Sequence, residues 1–399
     1  MEKITENKID KNPEKITESE LIGQGSYGCV FKPNINDKGK TEQNSKYISK
    51  LQLSGDTLEN EINIGKKIQS ITDYEEHFSP ILEKYPIELK QIEKEQPELL
   101  DCEITNDLKD DTTIFLDKIK YVGKNSLQNY LSIMKRGEPK KFLELFLETN
   151  IILLESLERL NKIGIIHNDL KEDNIICRNE DGRPILIDFG LSMDNEYMFL
   201  SNNNSILNIF TQNTNTEKTT KNTNTEEKSS QLNNYFFKYE PSYEIWCIDI
   251  VIINYILNVL KKEEMSSPIK MNIIIEDYIK KNKIFEKKEE QQEYLFNEEE
   301  KNKFKRDLIE EFTKDISQTW ENLLKTLLTY QKTWDNYALS IIYLKLLKIH
   351  EEDICKQIAN KYDEYTNILK SIILSKPSER KLPEETRQNI LQILRKTKR

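Results

Sequence analysis

The run His167-Asn168-Asp169-Leu170-Lys171-Glu172-Asp173-Asn174, with Asp188-Phe189-Gly190 shortly after it, constrains this chain more than any other feature. Phosphoryl transfer from ATP needs a carboxylate to accept the proton of an attacking hydroxyl, a cation to neutralise the transferring group, and oxygen ligands for Mg²⁺. Asp169 suits the base, Lys171 the cation, and Asn174 with Asp188 the metal. Such a set of positions, filled at average usage, coincides in about one chain in several hundred of this length, before Asp-Phe-Gly is required as well. The run also dictates local structure. Ile175-Ile176-Cys177 and Ile185-Leu186-Ile187 flank Asn179-Glu180-Asp181-Gly182, so the spacing predicts a hairpin with Asp188 at its exit.

A second run, Leu21-Ile22-Gly23-Gln24-Gly25-Ser26-Tyr27-Gly28-Cys29-Val30-Phe31, spaces its glycines as G-x-G-x-x-G with a valine beyond. Apolar residues on both sides predict a strand, a tight turn and a second strand. The dinucleotide-binding fingerprint shares this spacing but needs a helix directly after the glycines. Here Cys29-Val30-Phe31-Lys32-Pro33 is strand-like and ends in proline. Glycines let backbone approach nucleotide phosphates, and Val30 is placed to cover the base. Ile22, Gly23, Gln24, Gly25, Ser26, Tyr27, Gly28, Cys29 and Val30 are therefore the candidate ATP-contacting residues. The next element, Lys46 to Leu51, is a short alternating strand, and Lys50 falls where a strand lysine reaches the α- and β-phosphates. Glu61-Ile62-Asn63-Ile64-Gly65-Lys66-Lys67-Ile68 sets apolar residues on one helical face. Glu61 is the expected partner of Lys50, with Glu59 its rival.

Composition narrows the partners. The net charge of -10 disfavours nonspecific binding to nucleic acid or to an anionic membrane, and neither is expected as a partner. The apolar stretch Ile245 to Leu260 is too short to span a bilayer and carries Asp249. Met1 to Ser19 is polar, lacks the apolar core of a signal peptide, and reads as a disordered tail over 1–18. The cysteines, Cys29, Cys102, Cys177, Cys247 and Cys355, are scattered, with no C-x-x-C pair. They predict neither a disulfide framework nor a zinc site, and point to a reducing, cytoplasmic location.

In order along the chain, Gly23-x-Gly25-x-x-Gly28-x-Val30, Lys50, Glu61, His167-x-Asp169-x-Lys171-x-x-Asn174 and Asp188-Phe189-Gly190 resemble the motifs of eukaryotic-type serine/threonine protein kinases. The resemblance implies an α+β, two-lobed protein-kinase fold with ATP in the cleft. The small lobe, over 19–120, would be an antiparallel sheet with one helix, and the large lobe, over 121–399, mainly helical with insertions. It implies ATP and Mg²⁺ as cofactors and protein substrates with serine or threonine hydroxyls, the specificity being marked by Lys171. His77 to Ile81 resembles the loop after the small-lobe helix, and Thr113 to Leu116 with Tyr121 to Leu127 the last small-lobe strand and hinge. Phe142 to Ile163 has the apolar period of the long helix ahead of the catalytic loop. Leu374 to Arg380 resembles the last family stretch, whose arginine pairs with a glutamate after the activation segment; Glu244 in Pro241-Ser242-Tyr243-Glu244 is the expected partner of Arg380. The Gly25 to Pro33 run and the enlarged large lobe further resemble kinases of large DNA viruses, which implies a viral origin and a place in host cytoplasm or virion.

The chain also departs from that pattern. Asn168 stands where many members carry a phosphate-binding arginine, so activity is expected without phosphorylation of the activation segment. Residues 201–234 are crowded with polar side chains and read as a disordered insertion. The buried aspartate that opens a large-lobe helix is Asp249 or Asp335, with Asp335 favoured by its surrounding sequence. The region from about 261 to 328 would then be extra, and Phe304, Leu308, Phe312, Ile316, Trp320, Leu323 and Leu327 predict one amphipathic helix in it. Two other readings share parts of the pattern: a pseudokinase that binds nucleotide without transfer, and a small-molecule phosphotransferase of the aminoglycoside or choline kind.

Overall fold

The glycine run folds as its spacing predicts, as two strands of one hairpin with Gly25 opposite Gly28. In the computed structural model, the described residues are 19–25, 28–43, 45–96, 99, 101–106, 108–109, 112–135, 138–195, 235–260, 271–286, 295–314 and 319–398. The tail 1–18, the turn residues Ser26 and Tyr27, the segment 201–234 and parts of the 261–328 region lie outside them. The first elements are β1 (Glu20–Gly25), β2 (Gly28–Lys32), β3 (Tyr47–Leu53), α1 (Asp56–Ile68), β4 (Phe78–Ser79), β5 (Ile81–Glu88), α2 (Leu89–Glu95) and β6 (Thr113–Lys120). The chain divides into two units: Met1–Leu58 with Ile81–Tyr121, and Glu59–Pro80 with Val122–Arg399.

The first unit is a five-stranded sheet in the order β1-β2-β3-β6-β5, antiparallel throughout. Strand alternation sends Cys29, Phe31, Leu51, Ile114 and Leu116 to one face, where Leu89, Ile92, Leu99 and Cys102 from the β5–β6 connection cover them. That connection is pinned through Gln96, whose side chain accepts the Ser19 N–H at 2.9 Å and donates to Gly39 O at 3.1 Å. At Gly28 a side chain would collide with the backbone oxygen of Leu51, so only glycine allows β2 to lie this close to β3. Contrary to the expectation from cysteine spacing, Cys29 and Cys102 form a disulfide, with Cα atoms 5.9 Å apart. They lie 73 residues apart in sequence, and meet because the connection folds back over the β2 face. The disulfide removes the cysteine argument for a reducing location.

The second unit continues through β7 (Asn125–Ser126), α3 (Leu127–Met134), α4 (Pro139–Lys162), β8 (Ile165–Ile166), β9 (Ile175–Cys177), β10 (Pro184–Ile187) and β11 (Met193–Asp194). Then come α5 (Ile248–Asn258), α6 (Met271–Lys281), α7 (Glu298–Thr313), α8 (Trp320–Thr329), α9 (Trp334–Ile349), α10 (Glu351–Ile373) and α11 (Pro383–Lys398). A small sheet in the order β4-β10-β9-β7 holds the predicted β9–β10 hairpin, and β8 pairs with β11. Helix α4 buries Phe142, Phe146, Leu153, Leu157 and Leu160, a stripe at helical spacing, against the core. Helix α9 is buried on nearly every side from Trp334 to Leu347, which makes it the axis of this unit.

Two expectations fail here. The single amphipathic helix is two: Phe304, Leu308 and Phe312 lie on α7, Trp320, Leu323 and Leu327 on α8, and Ile316 lies outside the described residues. Thr319 is the reason, since its side chain accepts the Asn322 N–H at 3.2 Å and so caps the start of a new helix. Arg380 does not pair with Glu244. It forks onto Asp249, with N–O distances of 2.9 and 3.0 Å, and the side chains are 1% and 0% exposed. Glu244 takes Lys345 instead, at 2.7 Å. Asp249 wins because it sits in the first turn of α5 inside the core, where its other bond comes from the Trp334 indole at 2.9 Å. Removing one partner of a buried pair strands the other charge. Arg380→Ala should therefore lower stability in urea unfolding by ~3–5 kcal/mol, and Glu244→Ala by about 0–1 kcal/mol. Equal losses from the two variants would refute the assignment.

Candidate active site

The loop after β8 is shaped by its backbone before its side chains. Asn168 has φ 65° and Asp188 φ 61°, both in the left-handed region. Asparagine and aspartate tolerate that region better than most residues. Asn168 thus has a conformational reason of its own to stand here. The loop hangs on Asp335, in the first turn of α9. Its Oδ2 accepts the His167 N–H at 2.7 Å and its Oδ1 the Asn168 N–H at 2.9 Å. Both candidate aspartates are buried, but Asp335 holds the loop while Asp249 holds Arg380. Burial raises the Asp335 pKa above the usual carboxylate range, opposed by His167 and the two backbone donors.

His167 is fully buried, packs against Phe189 at 5.1 Å between ring centroids, and places Nε2 3.1 Å from the Ile187 carbonyl. Phe189 in turn meets Phe78 edge-on at 6.2 Å. His167 is thus a brace between the loop and the Asp-Phe-Gly turn.

Asp169 points into a set of donors. Lys171 Nζ lies 2.8 Å from its Oδ2, Asn174 Nδ2 lies 2.8 Å from its carbonyl and 3.2 Å from Oδ2, and the Tyr243 hydroxyl donates to Oδ1 at 3.0 Å. Burial works against the Lys171 ammonium. The Asp169 hydrogen bond and the charges of Asp169, Asp188 and Asp173 outweigh it and hold its pKa above the ordinary lysine value. Asp169, Lys171 and Asn174 are thus in direct contact, with Asp188 within electrostatic reach. The Asn174 amide nitrogen is committed to Asp169, which leaves its oxygen as the atom suited to a metal. Among the described residues no group of three His, Cys, Asp or Glu side chains is arranged to hold a metal ion. An ion such as Mg²⁺ takes one or two protein oxygens and completes its shell with water and substrate phosphate, and Asn174 and Asp188 carry oxygens of that kind.

Helix α1 fastens the segment after Asp188. The Asn60 amide donates to Ser192 O at 2.8 Å and accepts from the Tyr235 hydroxyl at 3.0 Å, and Lys67 meets Asp194 at 2.6 Å. Glu61, beside Asn60, is 2% exposed. Asn60 and Tyr243 were not singled out in the sequence, because a lone asparagine or tyrosine outside a motif carries no signal of its own.

The remaining candidates lie in the first unit. Gly23, Gly25 and Gly28 line the β1–β2 hairpin, with Gly23 opposite Val30 and Gln24 opposite Cys29. Ile22 is 47% exposed, and the Gln24 side chain accepts the Glu103 N–H at 3.3 Å. The Cys29 side chain is buried and disulfide-bonded, so only its backbone remains for a nucleotide. Lys50, on β3, stands opposite Val30 on β2 and Asp117 on β6. Lys50 and Glu61 belong to different units.

No family model matches the chain. Short stretches match curated kinases. The serine/threonine-protein kinase PknA of Nostoc is 58% identical over 40 residues, which is 10% of this chain and 7% of that protein. The serine/threonine-protein kinase C of Synechocystis is 56% identical over 39 residues, again 10% and 7%. The probable serine/threonine-protein kinase fnkB of Dictyostelium discoideum is 37% identical over 74 residues, 18% and 13%. The chain therefore matches less than a fifth of the length of these relatives. These local matches support a eukaryotic-type serine/threonine kinase, and the α+β architecture, an antiparallel sheet unit and a helical unit, is compatible with a kinase fold.

The role of Asp335 is testable without any assay of activity. Asp335→Ala leaves two buried N–H groups without their acceptor and should lower stability by about 1–3 kcal/mol. Amide exchange at His167 and Asn168 should quicken while Leu153 on α4 stays protected. Unchanged exchange at both amides would remove Asp335 from the role.

Proposed function

We propose that the chain is an ATP- and Mg²⁺-dependent protein kinase that transfers the γ-phosphoryl group to serine or threonine hydroxyls of proteins. The observation that carries this reading is the state of Asp169: a carboxylate held by Lys171 and Asn174, on a loop anchored by Asp335, with Asp188 close by. That arrangement serves a hydroxyl acceptor. Asp169 orients the hydroxyl and takes its proton. Lys171, kept charged by its acidic neighbours, neutralises the phosphoryl group as charge spreads over its oxygens. Asn174 and Asp188 would hold Mg²⁺, which supplies charge neutralisation across the phosphates when bound. The motif pattern assigns Gly23, Gly25, Gly28 and Lys50 to the phosphates, with Glu61 as the partner assigned to Lys50. Catalysis is then positioning and electrostatics. In this reading residues 19–120 serve as the small lobe and 121–399 as the large lobe.

Lys171 supports serine/threonine over tyrosine acceptors, and Asn168 supports activity that does not await phosphorylation of the activation segment. The viral likeness rests on the Gly25 to Pro33 run and the enlarged helical part. No helix among the described residues is long and apolar enough to cross a membrane; a cytoplasmic location belongs to the proposal.

The test is labelled ATP offered with serine, threonine and tyrosine peptides and with aminoglycoside or choline acceptors. Transfer to serine or threonine peptides is expected, and Asp169→Asn should slow it on the order of 10²–10⁴-fold. Nucleotide binding with no transfer to any acceptor, or transfer confined to the small molecules, would overturn the reading. Phosphatase-treated protein should retain its activity; loss on treatment would contradict the role given to Asn168.

A further inference from the structure

Tyr243 is the one hydroxyl that donates to the Asp169 carboxylate among the described residues, and the function above leaves it without a role. Its position follows from counting acceptor sites. Each carboxylate oxygen offers about two. On Oδ2 they go to Lys171 Nζ and Asn174 Nδ2, at 2.8 and 3.2 Å. A substrate hydroxyl must therefore come to Oδ1, beside the Tyr243 phenol at 3.0 Å.

Tyr243 is itself held from two sides. Its ring meets Trp246 edge-on, with centroids 5.1 Å apart at 88°, and Trp246 is 6% exposed. Its carbonyl accepts the Asn282 amide at 3.2 Å, and the carbonyl before it, on Ser242, accepts the Lys283 N–H at 3.4 Å. Asn282 is 0% exposed and directly follows α6, in the region between 261 and 328 that the sequence marks as extra. Its own Oδ1 caps the next turn by accepting the Ile284 N–H at 3.1 Å.

We propose that Tyr243 is a positioning residue for the base, and that Asn282 ties it to the inserted helix α6, giving the insertion a part in catalysis. The phenol fixes the direction of the carboxylate oxygen that meets the substrate hydroxyl. This rests on the kinase reading above.

A charged neighbour of the base is Lys171, which itself feels Asp173 on the same loop and Asp188 at the exit of β10. From α9, Lys345 meets Glu172 and Glu244 at 3.8 and 2.7 Å. All of them remain in Tyr243→Phe, so that variant reports on the hydroxyl alone. It should lower kcat by about 10- to 100-fold, as loss of a hydrogen bond to a charged group does, with KM for ATP unchanged. Asn282→Asp keeps the turn cap but loses the donor to Tyr243, and should lower kcat in the same sense by less, again with KM for ATP unchanged. A merely structural role would lower the thermal midpoint and the folded fraction and leave kcat per folded molecule where it was. Wild-type protein with no phosphotransfer overturns the kinase reading itself. Active wild type with kcat unchanged or raised in Tyr243→Phe overturns the positioning role alone. Should Tyr243→Phe not fold, the kcat of Asn282→Asp decides the same question.

Discussion

Two backbone N–H groups bonded to one buried carboxylate carry the organisation of the second unit. Asp335 accepts both His167 N–H and Asn168 N–H, and it does so from the first turn of α9, a helix enclosed by the core. A carboxyl group is suited to this, since each of its two oxygens can accept one N–H. Once those two amides are fixed, the left-handed turn at Asn168 is fixed, and with it the direction in which Asp169 leaves the loop.

The same end of α9 does more than hold the loop. Thr333, Trp334 and Asp335 are consecutive, and each reaches a different part of the chain. The Thr333 hydroxyl oxygen accepts from Arg380 at 3.2 Å, the Trp334 indole donates to Asp249 at 2.9 Å, and Asp335 takes the loop. Arg380, the start of α5 and the loop of His167 to Asn174 are therefore coupled through one helical turn. Asp249 persists at this depth because the Arg380 fork and the Trp334 indole meet it with matching geometry.

Elements whose formation is decided locally were legible in the sequence. The β1–β2 hairpin and the β9–β10 hairpin follow from glycines and turn residues between apolar runs, and α4 from a stripe of 3.6-residue period. The Asp169, Lys171 and Asn174 set was legible because its members share one loop. What depended on distant pairing was not. Glu244 and Asp249 stand five residues apart in the same stretch, and the sequence does not say which faces the core. The Cys29–Cys102 bond depends on a connection folding over a sheet face. Thr319 was missed as a break because the apolar spacing continues on both sides of it. Tyr243 falls in the same class, since its partner is 74 residues away.

The disulfide has a topological consequence. Cys29 and Cys102 both lie in the first unit, yet the stretch Glu59–Pro80 between them belongs to the second. The chain's excursion into the second unit therefore begins and ends within one covalent ring. A pull on the two ends of the chain would be carried covalently across the sulfurs, leaving β3, α1, β4, β5 and α2 on a branch outside the covalent path. A single cut anywhere on that branch would open the ring without parting the molecule.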